Sequence, residues 1–478
     1  MHYLITGLII LDIILDLIFL TLLIFFERKD ISSTWAWLLI LLFLPFLGLI
    51  LYLLLGQGIS KKKRFKKKFL DDTYKNNYFK SMKNDNNYNT SSELNKDVIL
   101  MNYKNCNSLY TRNNYVDFIF DGKELYNDML KEINLAEKYI HMQYYIFRSD
   151  SWGIKFINAL CEKSKSGVEV RLQVDGMGNF ISKEYLHKLK NSGVQFEVFF
   201  PSIIKKINLR ANYRNHRKIL LIDGKLGYLG GFNIGKEYAA EGHLGYWRDS
   251  NMKIFGEALN DLEERFLLDW TFSSKEILNE SYKKYFNYNK PIILEHRVPM
   301  QIVSSGPDFE KNNIKNVYMK IINKATRRIC IQTPYLIPDT SILDSLKIAS
   351  LSGIQVDIII PGTPDHIFIP WVANSYISTL LDYGVNIYLY QKGFIHAKTI
   401  VVDGNICSMG TANMDIRSFS LNFETNAVIY SIPKSTELEN KFDEDLKDCR
   451  ILTKEEFRNR SKKTKFLESI FRLFSNIM

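Results

Sequence analysis

Cysteine is scarce and dispersed. Cys106, Cys161, Cys330, Cys407 and Cys449 are the only five in 478 residues, with no C-x-x-C spacing and no neighbouring histidine. That excludes a disulfide framework and a thiolate zinc site, and the thiols read as reduced and mostly buried. The hallmarks of a cleaved secretion leader are missing too: no basic region precedes the first apolar stretch and no small-residue cleavage site follows it. Positive charge is not spread along the chain. Of the net +11, seven charges sit in residues 61–68, a local patch rather than a uniformly basic surface. Histidine is rare as well, at eight positions. Apolar residues are plentiful, 46% hydrophobic and 13% aromatic, enough to build the cores of two or three domains.

Two apolar stretches, residues 1–26 and 35–55, are each long enough to span a hydrocarbon core of about 30 Å. They predict a two-helix transmembrane anchor over residues 1–58, joined by a short turn at 27–34. The basic run at 61–68 then places the large domain and the N-terminus on the cytoplasmic side. It also holds the domain against anionic lipid at about 1 kcal/mol per basic residue near the surface. Asp12 and Asp16 lie one helical turn apart inside the first stretch, each costing about 2.5–3.5 kcal/mol near a bilayer centre. Residues 59–115 read as a basic juxtamembrane segment followed by an Asn-, Lys- and Asp-rich polar connector.

Two octets stand out. His216, Lys218 and Asp223 form a His-x-Lys-x-x-x-x-Asp pattern, and His396, Lys398 and Asp403 repeat it. Gly230 and Gly410 each follow their histidine by fourteen residues, Asn233 and Asn413 by seventeen. A lone histidine on a strand is most often a satisfied core residue, whereas a duplicated context points to chemistry. Residues 138–147, 167–175 and 193–200 likewise match 328–337, 353–361 and 384–391. The offset between copies falls from 191 to 180 at the histidines because the first copy inserts a loop at 201–215. Helical and strand patterns alternate twice over, predicting an α/β fold of two homologous domains with mixed sheets, at 116–290 and 291–478. The inserted loop carries Lys205, Lys206, Arg210 and Arg214, either a solvated cluster or a headgroup-binding patch. Residues 462–478 are basic, with Phe466, Ile470, Leu473, Phe474 and Ile477 at helical spacing. They predict an amphipathic helix that packs on the domain or lies on a membrane.

Within each octet, His and Lys are two apart and leave the same face of a strand. Phosphodiester transfer needs a nucleophile, an acid for the leaving alkoxide, and positive charge around the phosphoryl oxygens. The two halves together offer all three without a metal or other cofactor, and neither half is complete alone.

The octets resemble the HKD motifs of the phospholipase D superfamily. Tyr246-Trp247-Arg248-Asp249, residues 305–308, 333–338, 393–398 and 410–424 are similar to bacterial cardiolipin synthases. The resemblance runs from the first apolar segment to the C-terminus and is weakest across 70–115. It implies a catalytic set of His216, Lys218, Asp223, His396, Lys398 and Asp403. One histidine would form a phosphohistidine while the other protonates the leaving glycerol and later deprotonates the incoming alcohol. We take His216 as nucleophile and His396 as acid/base. Lys218, Lys398, Asn233 and Asn413 would hold the phosphate. Asp249 and Glu424, 33 and 28 residues after the histidines, would orient the rings. Asp223 and Asp403, at strand ends before Gly224 and Gly404, suit a local structural role better than contact with substrate. His141 reads as core, and His243 and His366 as pocket residues.

The resemblance further implies that phosphatidylglycerol is both donor and acceptor, giving cardiolipin and glycerol. The residues themselves leave open a phospholipase D-type hydrolase, another phosphatidyltransferase or, less readily, a membrane-attached nuclease. The expected partners are phosphatidylglycerol and anionic membrane lipid, with no nucleic acid, at the cell membrane.

Overall fold

The computed structural model describes residues 31–44, 94–201, 213–277, 279–286, 297–366 and 369–472, with isolated positions 7, 14, 18, 21, 47, 48, 52 and 68. Among the described residues no helix is long and apolar enough to cross a membrane. The expected segment 1–26 lies largely outside them, Asp12 and Asp16 included, and 35–55 is described only at 35–44, 47, 48 and 52. The helix Ile31–Phe43 takes in the second half of the expected turn, consistent with the preference of Ser and Thr for a helix start.

Each half is built on a mixed sheet with the same spatial order. In the first it runs Asn114–Ile119, Asn251–Gly256, Leu226–Gly230, Ile219–Ile222, Tyr139–Tyr144, Glu169–Asp175 and Gln195–Phe199. The second repeats this as Met300–Ser305, Asn422–Ile429, Ile406–Gly410, Thr399–Val402, Arg328–Gln332, Gln355–Pro361 and Asn386–Tyr390, then adds Cys449–Ile451 at its edge. The last three shared strands are parallel, linked through helices, and the others antiparallel. The strands that follow the histidine–lysine pairs, Ile219–Ile222 and Thr399–Val402, are apolar or β-branched and wholly buried. Each ends in a tight turn whose two leading residues, Asp223 and Gly224 or Asp403 and Gly404, have positive φ. One core cluster fills each half. A third combines Leu229 and Met252 of the first sheet with Met300, Val401 and Ala427 of the second, so the halves share a core.

Three segments depart from expectation. The expected polar connector contains the helix Lys96–Cys106, which packs on the second half. Val98 joins that half's core, and Asn102 Nδ2 donates to Gln301 Oε1 at 3.1 Å. Its apolar face is too narrow for a periodicity signal amid Asn and Lys. Lys68, the last of the basic run, is not at a lipid surface: its ammonium is buried, 2.9 Å from Asp308 and 3.5 Å from Asp269. The helix Lys462–Arg472 does form and packs on Ile369–Asp382, with Trp371 and Phe471 ring centroids 4.8 Å apart and Asn374 donating to Glu468 at 2.9 Å. Phe466 and Ile470, two of the five expected apolar positions, face outward instead, at 65% and 38% exposure, and Leu473, Phe474 and Ile477 lie outside the described residues. All five cysteines are free thiols, three of them buried.

Candidate active site

The halves are stitched together by two short parallel ladders. Arg214–Asn215 pairs with the start of Asn422–Ile429, setting Asn215 opposite Phe423, and the His216 amide donates to the Phe423 carbonyl at 2.9 Å. Tyr246–Arg248 pairs with Gly393–Ile395, setting Arg248 opposite Ile395, and the His396 amide donates to the Arg248 carbonyl at 2.7 Å. Each histidine is thus delivered beside the carboxylate of the other half. His216 Nδ1 lies 3.0 and 3.1 Å from the two oxygens of Glu424, and 3.2 Å from the Thr411 carbonyl. His396 Nδ1 lies 2.6 Å from Asp249 Oδ2. The pairing is crossed. A carboxylate at Nδ1 selects the Nδ1–H tautomer and leaves Nε2 with its lone pair.

Asp249 is one methylene shorter than Glu424, and the surroundings compensate. Thr411 Oγ1 donates to Glu424 Oε2 at 2.5 Å. Its counterpart is Gly231, where a Cβ would fall 2.1 Å from Asp249 Oδ1. Only glycine leaves room for that carboxylate.

Burial is the largest influence on both rings and keeps them neutral. It lowers His216 to about 4 despite the opposing Glu424, with Lys218 and Lys398 adding to the effect. It lowers His396 to about 3, reinforced by Lys398 and opposed by Asp249. Burial also lowers Lys398 to about 8 and Lys218 well below the usual lysine value, against the pull of the carboxylates. For Asp249 and Glu424 burial acts upward. Lys398 and His396 outweigh it at Asp249, as do His216 and Lys218 at Glu424, and both end below the usual carboxylate range. Each lysine ammonium donates to the carbonyl of its own histidine, Lys218 at 2.7 Å.

The rings open onto a cleft of about 910 Å³ with walls from both halves, including Tyr145, Arg214 and Trp247 from the first and Tyr335, Asn413 and Arg417 from the second. The Tyr145 ring centroid lies 5.0 Å from that of His216, and Trp247 lies 5.2 Å from His396. These aromatic walls hold the imidazoles in place. A phosphodiester entering here meets two imidazoles able to attack phosphorus and shuttle a proton, with Lys218 and Lys398 buried and hydrogen-bonded to the carbonyls of those histidines.

Comparison with known proteins gives this chemistry a lineage. A family model described as cardiolipin synthase, PLD-like domain, matches residues 129–270 and 318–446. A cardiolipin synthase of Clostridium perfringens (strain SM101 / Type A) is 52% identical over 454 residues, 95% of either chain. The chain belongs to the cardiolipin synthase family. The major cardiolipin synthase ClsA of Bacillus subtilis (strain 168) is 45% identical to it over 97% of this chain and 98% of that one. A second model, described as phospholipase D-nuclease N-terminal, matches residues 14–57. The crystal structure of phosphatidylserine synthase from Haemophilus influenzae Rd KW20 aligns with a TM-score of 0.63 and 14% identity, over 80% of this chain and all of that one, a likeness of fold.

In this member of the cardiolipin synthase family, the expected site residues separate into two groups. His216, His396, Lys218, Lys398, Asp249 and Glu424 come together. Asp223 and Asp403 do not: neither lines the cleft, and both bind backbone. Asp223 accepts from the amides of Glu137, Lys138 and Tyr139, and Asp403 from those of Thr326, Arg327 and Arg328, each fixing the start of the neighbouring strand. Both hold local structure at the strand ends. Asn233 lines the cleft, but its Oδ1 accepts from the Ile146 amide at 3.1 Å and its Nδ2 donates to Tyr238 at 3.2 Å. It braces the loop and keeps one of its two Nδ2 donors beyond the bond to Tyr238. Asn413 lines the cleft with its buried Oδ1 unpartnered. His243 and His366 also line it, whereas His141 is core, stacked on Phe266 and 2.5 Å from Glu263.

Lys205, Lys206 and Arg210 lie outside the described residues. Sequence reasoning missed Arg217, the variable residue of the first octet. Its buried guanidinium donates to Asp269 in its own half, and to Thr425 Oγ1 at 2.9 Å and the Ser305 carbonyl at 3.2 Å in the other. The signal was present: an arginine inside an apolar strand context where the second copy has Ala397.

Proposed function

We propose that this protein transfers a phosphatidyl group from one phosphatidylglycerol to another, releasing glycerol and forming cardiolipin through a phosphohistidine. His216 Nε2 attacks phosphorus, and the bond from phosphorus to the headgroup glycerol oxygen breaks. His396 delivers a proton to that oxygen. The incoming lipid's glycerol hydroxyl then loses its proton to His396 and attacks phosphorus, regenerating His216. The observation that carries this reading is the crossed pairing with Asp249 and Glu424 of two buried histidines that line one cleft.

Both rings are neutral in the free site, which suits the nucleophile. Burial and Lys398 hold His396 somewhat lower than His216 in the free site. A phosphodiester anion offsets the lysine charge and favours protonation of one imidazole, and the geometry of the shorter carboxylate contact then decides. The 2.6 Å bond from His396 to Asp249, against the divided 3.0 and 3.1 Å contacts of His216, therefore supports His396 as acid/base. Lys218 and Lys398 supply charge to the phosphoryl oxygens. Asp249 and Glu424 orient the rings. A membrane anchor over residues 1–58, with the catalytic halves cytoplasmic, suits a lipid substrate, and the N-terminal family match at 14–57 favours it.

The test is product analysis of the purified protein in phosphatidylglycerol vesicles without added divalent metal. Cardiolipin with matching glycerol supports transfer. Phosphatidic acid in its place makes the protein a hydrolase, and the absence of any lipid product overturns the assignment and turns the search to nucleic acid.

A further inference from the structure

A second cluster of buried charge lies on the seam between the halves, and none of its members lines the cleft. At its centre is Asp269, on the helix Leu259–Ser274 of the first half. Its Oδ2 accepts from Arg217, from Gln143 at 3.0 Å and from Asn215 Nδ2 at 3.4 Å. Arg217 and Asn215 are the two chain neighbours of His216, and both rest on that one oxygen. Arg217 reaches on to Thr425 and the Ser305 carbonyl of the second half. Thr425 follows Glu424, the carboxylate that meets the His216 ring. The cluster therefore sets His216 relative to its carboxylate.

Lys68 closes the other side of it. Asp269 Oδ1 takes Arg265 at 2.7 Å and the Lys68 ammonium at 3.5 Å. The same ammonium lies 2.9 Å from Asp308 Oδ2 in the second half. It is also within cation–π reach of one ring from each half, Phe272 at 5.4 Å and Phe423 at 5.7 Å from the centroids. One side chain thus ties a carboxylate and a ring of the first half to a carboxylate and a ring of the second. Phe423 is the residue whose carbonyl holds the His216 amide.

A lysine that served only to attract anionic lipid would keep its head in water. Burying an ammonium is costly, and the cost is offset only where carboxylates meet it closely. Burial acts upward on Asp269, but Arg217, Arg265 and Lys68 outweigh it and hold the carboxyl well below the usual range, so it stays charged beneath Arg217. Removing Lys68 leaves the Asp308 carboxylate buried without the ammonium that meets it, which favours opening of the seam to water. The groups then displaced flank His216 and Glu424, and a misplacement of about 1 Å can cost roughly 100-fold in rate. The cleft walls are untouched, so binding of lipid should change little.

We propose that Lys68 is a positioning residue of the active site, its ammonium pinning the two halves together so that His216 is held against Glu424. It acts through Asp269 and Asp308 and touches no substrate. This rests on the phosphatidyl-transfer reading, and the experiment separates the two. Full-length wild type, Lys68→Met, Asp308→Asn and the double variant are given phosphatidylglycerol vesicles. Cardiolipin formation, the vesicle-bound fraction and the melting temperature are measured on the same preparations. The expected result for Lys68→Met is a fall of about tenfold or more in kcat, with KM and the bound fraction close to wild type. Asp308→Asn keeps the shape and breaks the same pair, so it should show the same split, and it decides the matter if Lys68→Met does not fold. In the double variant the loss should match the larger single loss rather than the product of the two, because both changes act on one unit. A wild-type kcat in both single variants, losses that multiply, or a loss that tracks the bound fraction, as a lysine at the lipid surface would give, overturns the proposal. Wild type that yields no lipid product overturns the underlying phosphatidyl-transfer reading instead.

Discussion

Replacing Asp249 with Asn tests the crossed architecture directly. The His396–Asp249 contact is 2.6 Å between two buried groups, the geometry of a charge-assisted hydrogen bond. Losing the charge while keeping the shape removes about 2–4 kcal/mol of stabilisation from the imidazolium. At about 1.4 kcal/mol per factor of ten, the proton-transfer steps slow by roughly 30- to 1000-fold. The Ser250 amide donates to Asp249 Oδ1 at 2.8 Å, so an asparagine carbonyl retained there turns its amide nitrogen toward His396. That selects the wrong tautomer. A phosphodiester lipid with a nitrophenyl leaving group needs no acid for its departure, so Asp249→Asn should still form the first adduct and then stall. Trapping with labelled lipid followed by peptide mapping reads where the label sits. Since the damaged ring is His396, in the other half, the adduct belongs on His216. Glu424→Gln damages His216 instead, so no adduct accumulates there. Label on His396 in the Asp249→Asn protein, or a wild-type rate with the natural substrate, would refute the crossed assignment.

Gly231→Ala should mimic that defect, since its new Cβ falls 2.1 Å from Asp249 Oδ1 and overpacking of this kind costs about 1–3 kcal/mol; kcat measured beside the melting temperature checks it. For Asp403→Ala the expected loss is stability, about 1–3 kcal/mol from the orphaned strand amides, with kcat per folded molecule little changed, as denaturant unfolding and activity on one preparation will show. In the pH profile, kcat/KM should fall above about pH 8 as Lys398 loses its proton, and Lys398→Arg should move that limb upward. Folding stability should follow the histidines. Their folded pKa values lie below the unfolded value near 6.5, so their contribution is complete above that pH. It is lost as pH falls from there through about 4 and 3, visible as a declining melting temperature that flattens when both histidines are replaced by Asn.

The duplicated octets made the two halves and their central strands legible. The match of 138–147 with 328–337 pointed to the buried strands Tyr139–Tyr144 and Arg328–Gln332, because short apolar and aromatic runs between helical patterns have few other fates. The ring-orienting carboxylates were legible as residues but not as partners. Distance along the chain from each histidine carries no information about the parallel ladders at Asn215–Phe423 and Arg248–Ile395, and these ladders decide which carboxylate meets which ring. Arg217 stood out as a charge in an apolar strand context, but nothing along the chain names Thr425 and Ser305 as its partners in the other half. The outward face of Lys462–Arg472 was misjudged because Glu468 and Phe471, rather than the apolar stripe, meet the domain.

The exchange of carboxylates between the halves also bears on how such a chain could arise. One half alone has a histidine and no carboxylate beside it, so it would be active only as a two-fold pair of identical chains, each completing the other. Joining the copies lifts the demand for identity. Arg217 against Ala397, Gly231 with Asp249 against Thr411 with Glu424, and an insertion before only one histidine are differences a symmetric pair could not hold. Fusion made the two ends of the cleft independently heritable, which is what a reaction with unlike donor and acceptor roles for the same lipid requires.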